Sequence, residues 1–190
     1  MCGRYTVFSQ NDDDLMSRLI KQAGFNEQLG DIYPTNAAPI ITGVEGTLKS
    51  KYALWGLPAP DGSSRPVINS RCETAPVKRF FREALYERRC VIPATGFYEW
   101  SRETKIKYLF RNRDDDMIFM AGAYNEYGPV KKFVIFTREA DEDMADVHNR
   151  MPVLLSRDTV RRYLTEFSYF ETAFISAPHR IIRTVSGENA

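Results

Sequence analysis

Cysteine is scarce in this chain, with Cys2, Cys72 and Cys90 alone among 190 residues. They are odd in number, widely spaced and without a C-x-x-C pair, which argues against a disulfide framework or a cysteine zinc site and fits a reducing compartment. Histidine is scarcer still, with His148 and His179 only. Neither falls in an H-E-x-x-H or H-x(3–5)-H spacing, so neither a metal nor any other cofactor is expected. No apolar run approaches the roughly 20 residues that cross a bilayer, and the amino end lacks a basic, then apolar, then cleavable pattern. Membrane association and export are therefore not expected, and a cytoplasmic location, at the nucleoid in a bacterial host, is. Excess charge of one sign is lacking too: 26 Lys+Arg against 25 Asp+Glu leave a formal +1. Any attraction for nucleic acid must then be local. There is no G-x-S-x-G elbow, no glycine-rich phosphate loop and no papain-like or caspase-like cysteine motif, which removes those chemistries.

What is present is an ordinary globular balance, 43% hydrophobic and 27% charged. A chain of this length buries roughly 70% of its unfolded surface and needs no covalent staple, so one domain over residues 1–190 is expected. Strand formers run from Gly3 to Ser9, and Asn11-Asp12 supplies an N-cap signal before the helical spacing of Leu15, Met16, Leu19 and Ile20, which stops near Gly24. Tyr33 to Pro39 reads as a loop, Lys51 to Leu57 as a strand, and Ala75 to Arg89 as a helix with one apolar face (Val77, Phe80, Phe81, Ala84, Leu85) and one basic face. Val91-Ile92, Tyr108–Phe110, Met117–Ala123 and Lys132–Thr137 read as strands joined by turns. Asp141–Val147 reads as a short helix, Met151–Leu155 as a strand, and Arg157–Glu166 as a helix capped by Ser156. Successive strands without regular crossover helices predict an α+β fold with a mostly antiparallel, partly barrelled sheet and flanking helices.

Cys2 is the most informative position. Loss of the initiator Met before a small residue would leave a free α-amine and a thiol on one residue, with ordinary pKa values of about 8 and 8.5. Such an aminothiol condenses with aldehydes, first to an imine and then, by closure of the thiol, to a thiazolidine. The alternative is that Cys2 is a small buried residue opening a strand. Glu99 lies in an aromatic setting, Gly96-Phe97-Tyr98-Glu99-Trp100, where desolvation would raise its pKa and suit it to moving protons; it would otherwise cap a strand or pair with an arginine. His148, in Val147-His148-Asn149-Arg150-Met151-Pro152, either acts as a base or orders a loop. Asn69 either orients a substrate or satisfies a turn. Arginines (Arg4, Arg71, Arg79, Arg150) and aromatics (Trp55, Phe97, Trp100) lie beside these motifs, and the pairing suits single-stranded nucleic acid, with arginines for phosphates and rings for bases.

Taken in order, Met1-Cys2-Gly3-Arg4-Tyr5, Trp55-Gly56-Leu57, Asn69-Ser70-Arg71-Cys72-Glu73-Thr74, Arg89-Cys90-Val91-Ile92-Pro93, Gly96-Phe97-Tyr98-Glu99-Trp100 and His148-Asn149-Arg150-Met151-Pro152-Val153 resemble the signature blocks of the SOS-response-associated peptidase (SRAP) domain. That family includes the eukaryotic protein first described as a 5-hydroxymethylcytosine binder of embryonic stem cells. The resemblance implies the SRAP fold and covalent capture of abasic sites in single-stranded DNA. It also implies lyase and autoproteolytic activity in the setting of DNA damage and the SOS response. By the same implication Cys2 forms the crosslink, Asn69 holds the Cys2 end or the sugar, Glu99 relays protons and His148 assists opening of the sugar ring. Arg4, Arg71 and Arg150 become phosphate ligands with Glu73 beside them, and Pro39, Trp55 and Trp100 the wedge and stacking surfaces favouring single strands or single-strand/duplex junctions. A monomer without an obligate protein partner is expected. A non-covalent reader of single-stranded or modified DNA and a cysteine peptidase are the other readings.

Overall fold

The computed structural model describes residues 2–8, 14–25, 29–176 and 180–186. Two sheets share the apolar interior. The first has five antiparallel strands in the order β13-β8-β7-β1-β2: β1 (Arg4–Val7), β2 (Gly30–Ile32), β7 (Gly96–Trp100), β8 (Lys107–Asn112) and β13 (Ile181–Val185). The second contains β3 (Ala37–Val44), β4 (Thr47–Trp55), β6 (Arg89–Ala94), β9 (Ile118–Tyr127), β10 (Val130–Glu139), β11 (Arg150–Pro152) and β12 (Leu154–Leu155), with the short β5 (Asn69–Arg71) paired to β10. Because β10 pairs with both β4 and β9, the path β10-β4-β3-β6-β9 returns on itself as a ring. That ring is the partly barrelled sheet expected of the sequence, and the α+β class holds.

Local chemistry explains the connections. The β3–β4 turn has Glu45 and Gly46 at φ 49° and 75°, two left-handed residues of the kind that match the twist of a tight hairpin. Helix α1 (Leu15–Gln22) is capped by Asp14, whose carboxylate accepts from the Ser17 N–H at 2.6 Å; the Asn11-Asp12 signal lies outside the described residues. Helix α2 (Arg79–Glu87) is shorter than its apolar pattern, since residues 72–77 form turns instead. Residues 142–147 are likewise turns rather than a helix, and the helix near Arg157 begins only at Val160 (α3, Val160–Thr165), with no side-chain cap. Ser156 bonds Thr159 instead. Helix α4 (Tyr169–Ile175) and β13 follow, with no counterpart in the sequence pattern.

Two signature residues have purely architectural roles. The buried Arg89 guanidinium donates to the carbonyls of Leu85, Tyr86, Tyr163, Glu166 and Phe167, joining the carboxyl ends of α2 and α3, where a positive charge is favoured. Gly56 sits at φ 119°, and a Cβ there would lie 2.6 Å from the Pro66 side chain. Gly56→Ala is expected to cost about 1–3 kcal/mol by combining backbone strain with a clash. Thermal unfolding of the variant should show a midpoint several degrees lower; an unchanged midpoint would mean that Pro66 yields freely.

Candidate active site

The amino end enters the fold between β2 and β7, with Arg4 opposite Tyr98. This puts Cys2 beside Glu99 at the rim of the first sheet. Cys2 is fully buried, its Sγ lies 3.6 Å from the Arg4 carbonyl, and its own carbonyl accepts from Asn69 Nδ2 at 2.9 Å. Asn69 opens β5, which runs parallel to β10 with Asn69 opposite Ile135. The residue before it, Ile68, accepts from the Trp55 indole N–H at 3.0 Å. A chain of contacts thus runs from the core through Trp55 and β5 to the backbone of Cys2.

That chain corrects the reading of Trp55. Its ring is fully buried, edge-on to Tyr5 and stacked with Phe133, so it offers no face to a base. Pro39 is corrected in the same way: β3 begins at Ala37, earlier than the expected end of the loop, and Pro39 is buried opposite Tyr52. Both lie within runs of buried residues, where packing claims an apolar side chain before solvent can.

Burial, and next the charge of Glu99, push the Cys2 thiol well above its ordinary range. This departs from the ordinary thiol value of about 8.5 expected of the residue type. Glu99, on β7, is only 4% exposed, and its carboxyl is raised chiefly by desolvation, against which work first the chain's amino end, then the Trp100 amide and last Arg102. His148 is held down to about 4, by burial first, with the positive charges of the chain's amino end and of Arg102 adding to it. One ring nitrogen, Nε2, lies 3.1 Å from an Arg102 Nη; the other, Nδ1, lies 2.9 Å from the Arg150 amide and 3.2 Å from the Arg150 carbonyl. At neutral pH the rim therefore carries a protonated thiol, a carboxyl with raised proton affinity and a neutral imidazole, a set suited to moving protons.

The arginines divide into two groups. Arg150 grips Glu73 through both guanidinium branches at 2.6 and 2.8 Å and also donates to the Thr137 carbonyl, tying β11 to the turn after β5. Arg150 is thus paired with that carboxylate, and its hydrogen bonds hold the Glu73 pKa low. Arg4 and Arg71 are different. Arg71 is exposed, and Arg4 lies 4.5 Å from the centre of the exposed Tyr33 ring and 5.1 Å from that of the half-buried Trp100. Lys107 joins the same group over Tyr98 at 4.5 Å. Sequence reasoning missed Arg102 and Tyr33, which carry no motif of their own and reach the site through turns. Among the described residues no group of three or more His, Cys, Asp or Glu is placed to hold a metal ion, and no helix is long and apolar enough to cross a membrane.

Comparison with known proteins places this geometry in context. Residues 1–180 match the family model for the SOS response associated peptidase (SRAP). The chain is 33% identical over 184 residues to the abasic site processing protein YoqW of Bacillus subtilis (strain 168), covering 86% of this chain and 80% of that one. It is 27% identical to the abasic site processing protein YedK of Escherichia coli (strain K12), covering 93% and 86%, and 26% identical to the abasic site processing protein HMCES of Xenopus tropicalis, covering 58% and 43%. A crystal structure of a protein from Bordetella bronchiseptica superimposes with a TM-score of 0.79 at 22% identity, covering 98% of this chain and 100% of that one, which shows a shared fold. The chain belongs to the SRAP family.

Proposed function

We propose that this protein processes abasic sites in DNA, binding them in single-stranded regions and capturing them covalently through Cys2. The observation that carries the reading is the seat of Cys2 at the rim, its backbone held by Asn69 and its side chain beside Glu99. Met1 lies outside the described residues. Its removal would turn the Cys2 amide nitrogen into an α-amine, a nucleophile with an ordinary pKa of about 8. The ring-opened abasic sugar presents an aldehyde; the amine adds to it and water leaves, giving an imine. The thiol then adds across the C=N bond, its sulfur to carbon and its proton to nitrogen, closing a thiazolidine. The net change is aldehyde plus aminothiol to thiazolidine plus water.

The environment fits this order. A thiol held protonated is protected from oxidation and delivers its proton to nitrogen as the ring closes. Glu99 supplies and recovers the protons that water loss requires, and neutral His148 draws a proton from the closed sugar's hydroxyl. The contacts of His148 run to Arg102 and Arg150 while Cys2 Sγ faces a carbonyl, an arrangement unlike the thiolate–imidazolium pair of a cysteine peptidase. Arg4, Arg71 and Trp100 are left as the DNA contacts, with cations for phosphates and the aromatic rings around Arg4 for bases.

The test is incubation with a single-stranded oligonucleotide carrying one abasic site, without added reductant, followed by denaturing electrophoresis. A slow band that survives heating supports the reading; a complex lost on denaturation would support non-covalent binding instead. Arg71→Ala is expected to weaken binding and to reduce the slope of log affinity against log salt by about 0.7, the value for one single-strand phosphate contact. An unchanged slope would make Arg71 structural.

A further inference from the structure

Strand β7 carries Glu99 on one face and aromatic rings on the other. Alternation along it puts Glu99 beside Cys2, and Tyr98 and Trp100 on the opposite side of the sheet. Strand pairing adds to that outer side Arg4 of β1, opposite Tyr98, and Lys107 of β8, opposite Trp100. Tyr33 follows β2 and reaches the same layer. The Arg4 guanidinium lies 4.5 Å from the centre of the Tyr33 ring, 5.1 Å from that of Trp100 and 5.8 Å from that of Tyr98. The Lys107 ammonium lies 4.5 Å from the centre of the Tyr98 ring and 5.9 Å from that of Trp100. Two cations thus stand over the same two rings. Among the described residues neither has a carboxylate within ion-pair distance, and the buried Nε of Arg4 has no hydrogen-bond partner. Asp31, on β2, accepts from the Tyr98 hydroxyl. Holding two like charges over the same rings without a counter-ion is costly unless a bound anion supplies one.

We propose that this outer face is a further subsite for single-stranded DNA, in which a phosphate next to the captured position sits between Arg4 and Lys107 and its base stacks on Tyr33. The charges select the anion and the rings its bases. A chain of net charge +1 has no general pull on a polyanion, so a local pair of cations without counter-ions decides where a strand lies. Tyr33 is 42% exposed, with Arg4 against its ring, so it has surface to offer a base. Bases stacked inside a duplex have no free face to give, and the subsite therefore takes unpaired nucleotides. It is continuous with the rim: Trp100 is next to Glu99, and Arg4 is two residues beyond Cys2. One strand can then pass from the thiol over the edge of the sheet onto the rings.

The captured position rests on the abasic-site reading; the subsite for the neighbouring nucleotides does not, so the probe is a short undamaged oligothymidylate. The sequence holds two tryptophans, and Trp55 is enclosed by Tyr5 and Phe133, so a change of tryptophan emission on binding reports Trp100. Binding is expected to quench that emission, and Trp100→Phe should lose the signal. Tyr33→Ala should weaken binding about tenfold, the loss of one base–ring stack, and Tyr33→Phe should restore it. Lys107→Gln should reduce the slope of log affinity against log salt by about 0.7, one single-strand phosphate contact. Lys107 is buried along its stem, and Tyr33, at the surface, tests the subsite should Lys107→Gln not fold. Unchanged emission, unchanged affinity in Tyr33→Ala, a loss that Tyr33→Phe shares, or equal affinity for the duplex of the same sequence would each overturn the proposal. So would an unaltered slope in a folded Lys107→Gln. A protein that binds in this way yet forms no crosslink with an abasic oligonucleotide retains the subsite and loses the covalent reading. One that crosslinks while Tyr33→Ala changes neither emission nor affinity retains the covalent reading and loses the subsite.

Discussion

Replacement of Cys2 by Ala is expected to abolish the denaturation-resistant complex with abasic DNA while leaving equilibrium binding within about twofold. The argument is one of separable groups. The carbonyl of residue 2 that Asn69 holds is backbone, so alanine keeps the 2.9 Å contact. The arginines and rings assigned to DNA do not depend on the thiol. Cys2→Ala still exposes an α-amine after Met1 removal and can form an imine, but with no sulfur to close the ring the imine hydrolyses. Borohydride should then trap the Cys2→Ala complex, and without borohydride no band should survive heating. Cys2→Ser should behave as Cys2→Ala does, because a hydroxyl is a far weaker partner for ring closure. Full crosslinking by either variant would move the nucleophile elsewhere in the chain.

Glu99→Gln is the second large effect. The carboxyl is buried, and its raised proton affinity is what suits it to donate to the departing hydroxyl and to accept again afterwards. Glutamine keeps the shape and loses the proton chemistry, so crosslinking should slow by about 10²–10⁴-fold with binding little changed. The pH dependence has a definite sign. A general acid with a raised pKa is competent below that pKa, so its contribution falls as pH rises through a value above the ordinary carboxylate range. Glu99→Gln should flatten that descending limb. Single-turnover rates across pH check it; an unaltered rate would remove Glu99 from the chemistry.

Much of this site is legible from local sequence, and the failures have physical causes. Cys2, Asn69 and Glu99 stand out as chemically unusual residue types within dense motifs, and the fold does bring them together. What residue type does not reveal is which side chains the long-range pairing encloses. Trp55 and Pro39 look like surface wedges until β3 and β4 close into the ring, which buries both. Residue type likewise does not reveal that β11 and the turn after β5 meet, pairing Arg150 with Glu73. Residues 141–147 have a helical composition, yet their hydrogen bonds stop at isolated turns, with the Met144 N–H donating to the Asp141 carbonyl and the His148 N–H to that of Met144. Their task is to deliver His148 to the rim. Strand β5, of three residues and paired in parallel with β10, has too little pattern to be read locally.

Burial of Cys2 is the point where sequence and structure differ most in chemical consequence. The sequence suggests an ordinary terminal thiol, while the fold places that thiol out of water beside a carboxyl that shares its reluctance to ionise. On the proposed function the α-amine, not the thiolate, would make the first bond.

The most direct measurement is the intact mass of the purified protein before and after incubation with a single-stranded oligonucleotide bearing one abasic site, with the adduct mapped by digestion. The account predicts a chain lacking Met1 that gains the oligonucleotide mass less one water, with the modification on Cys2. A chain that gains no mass, or an adduct on any other residue, would contradict it.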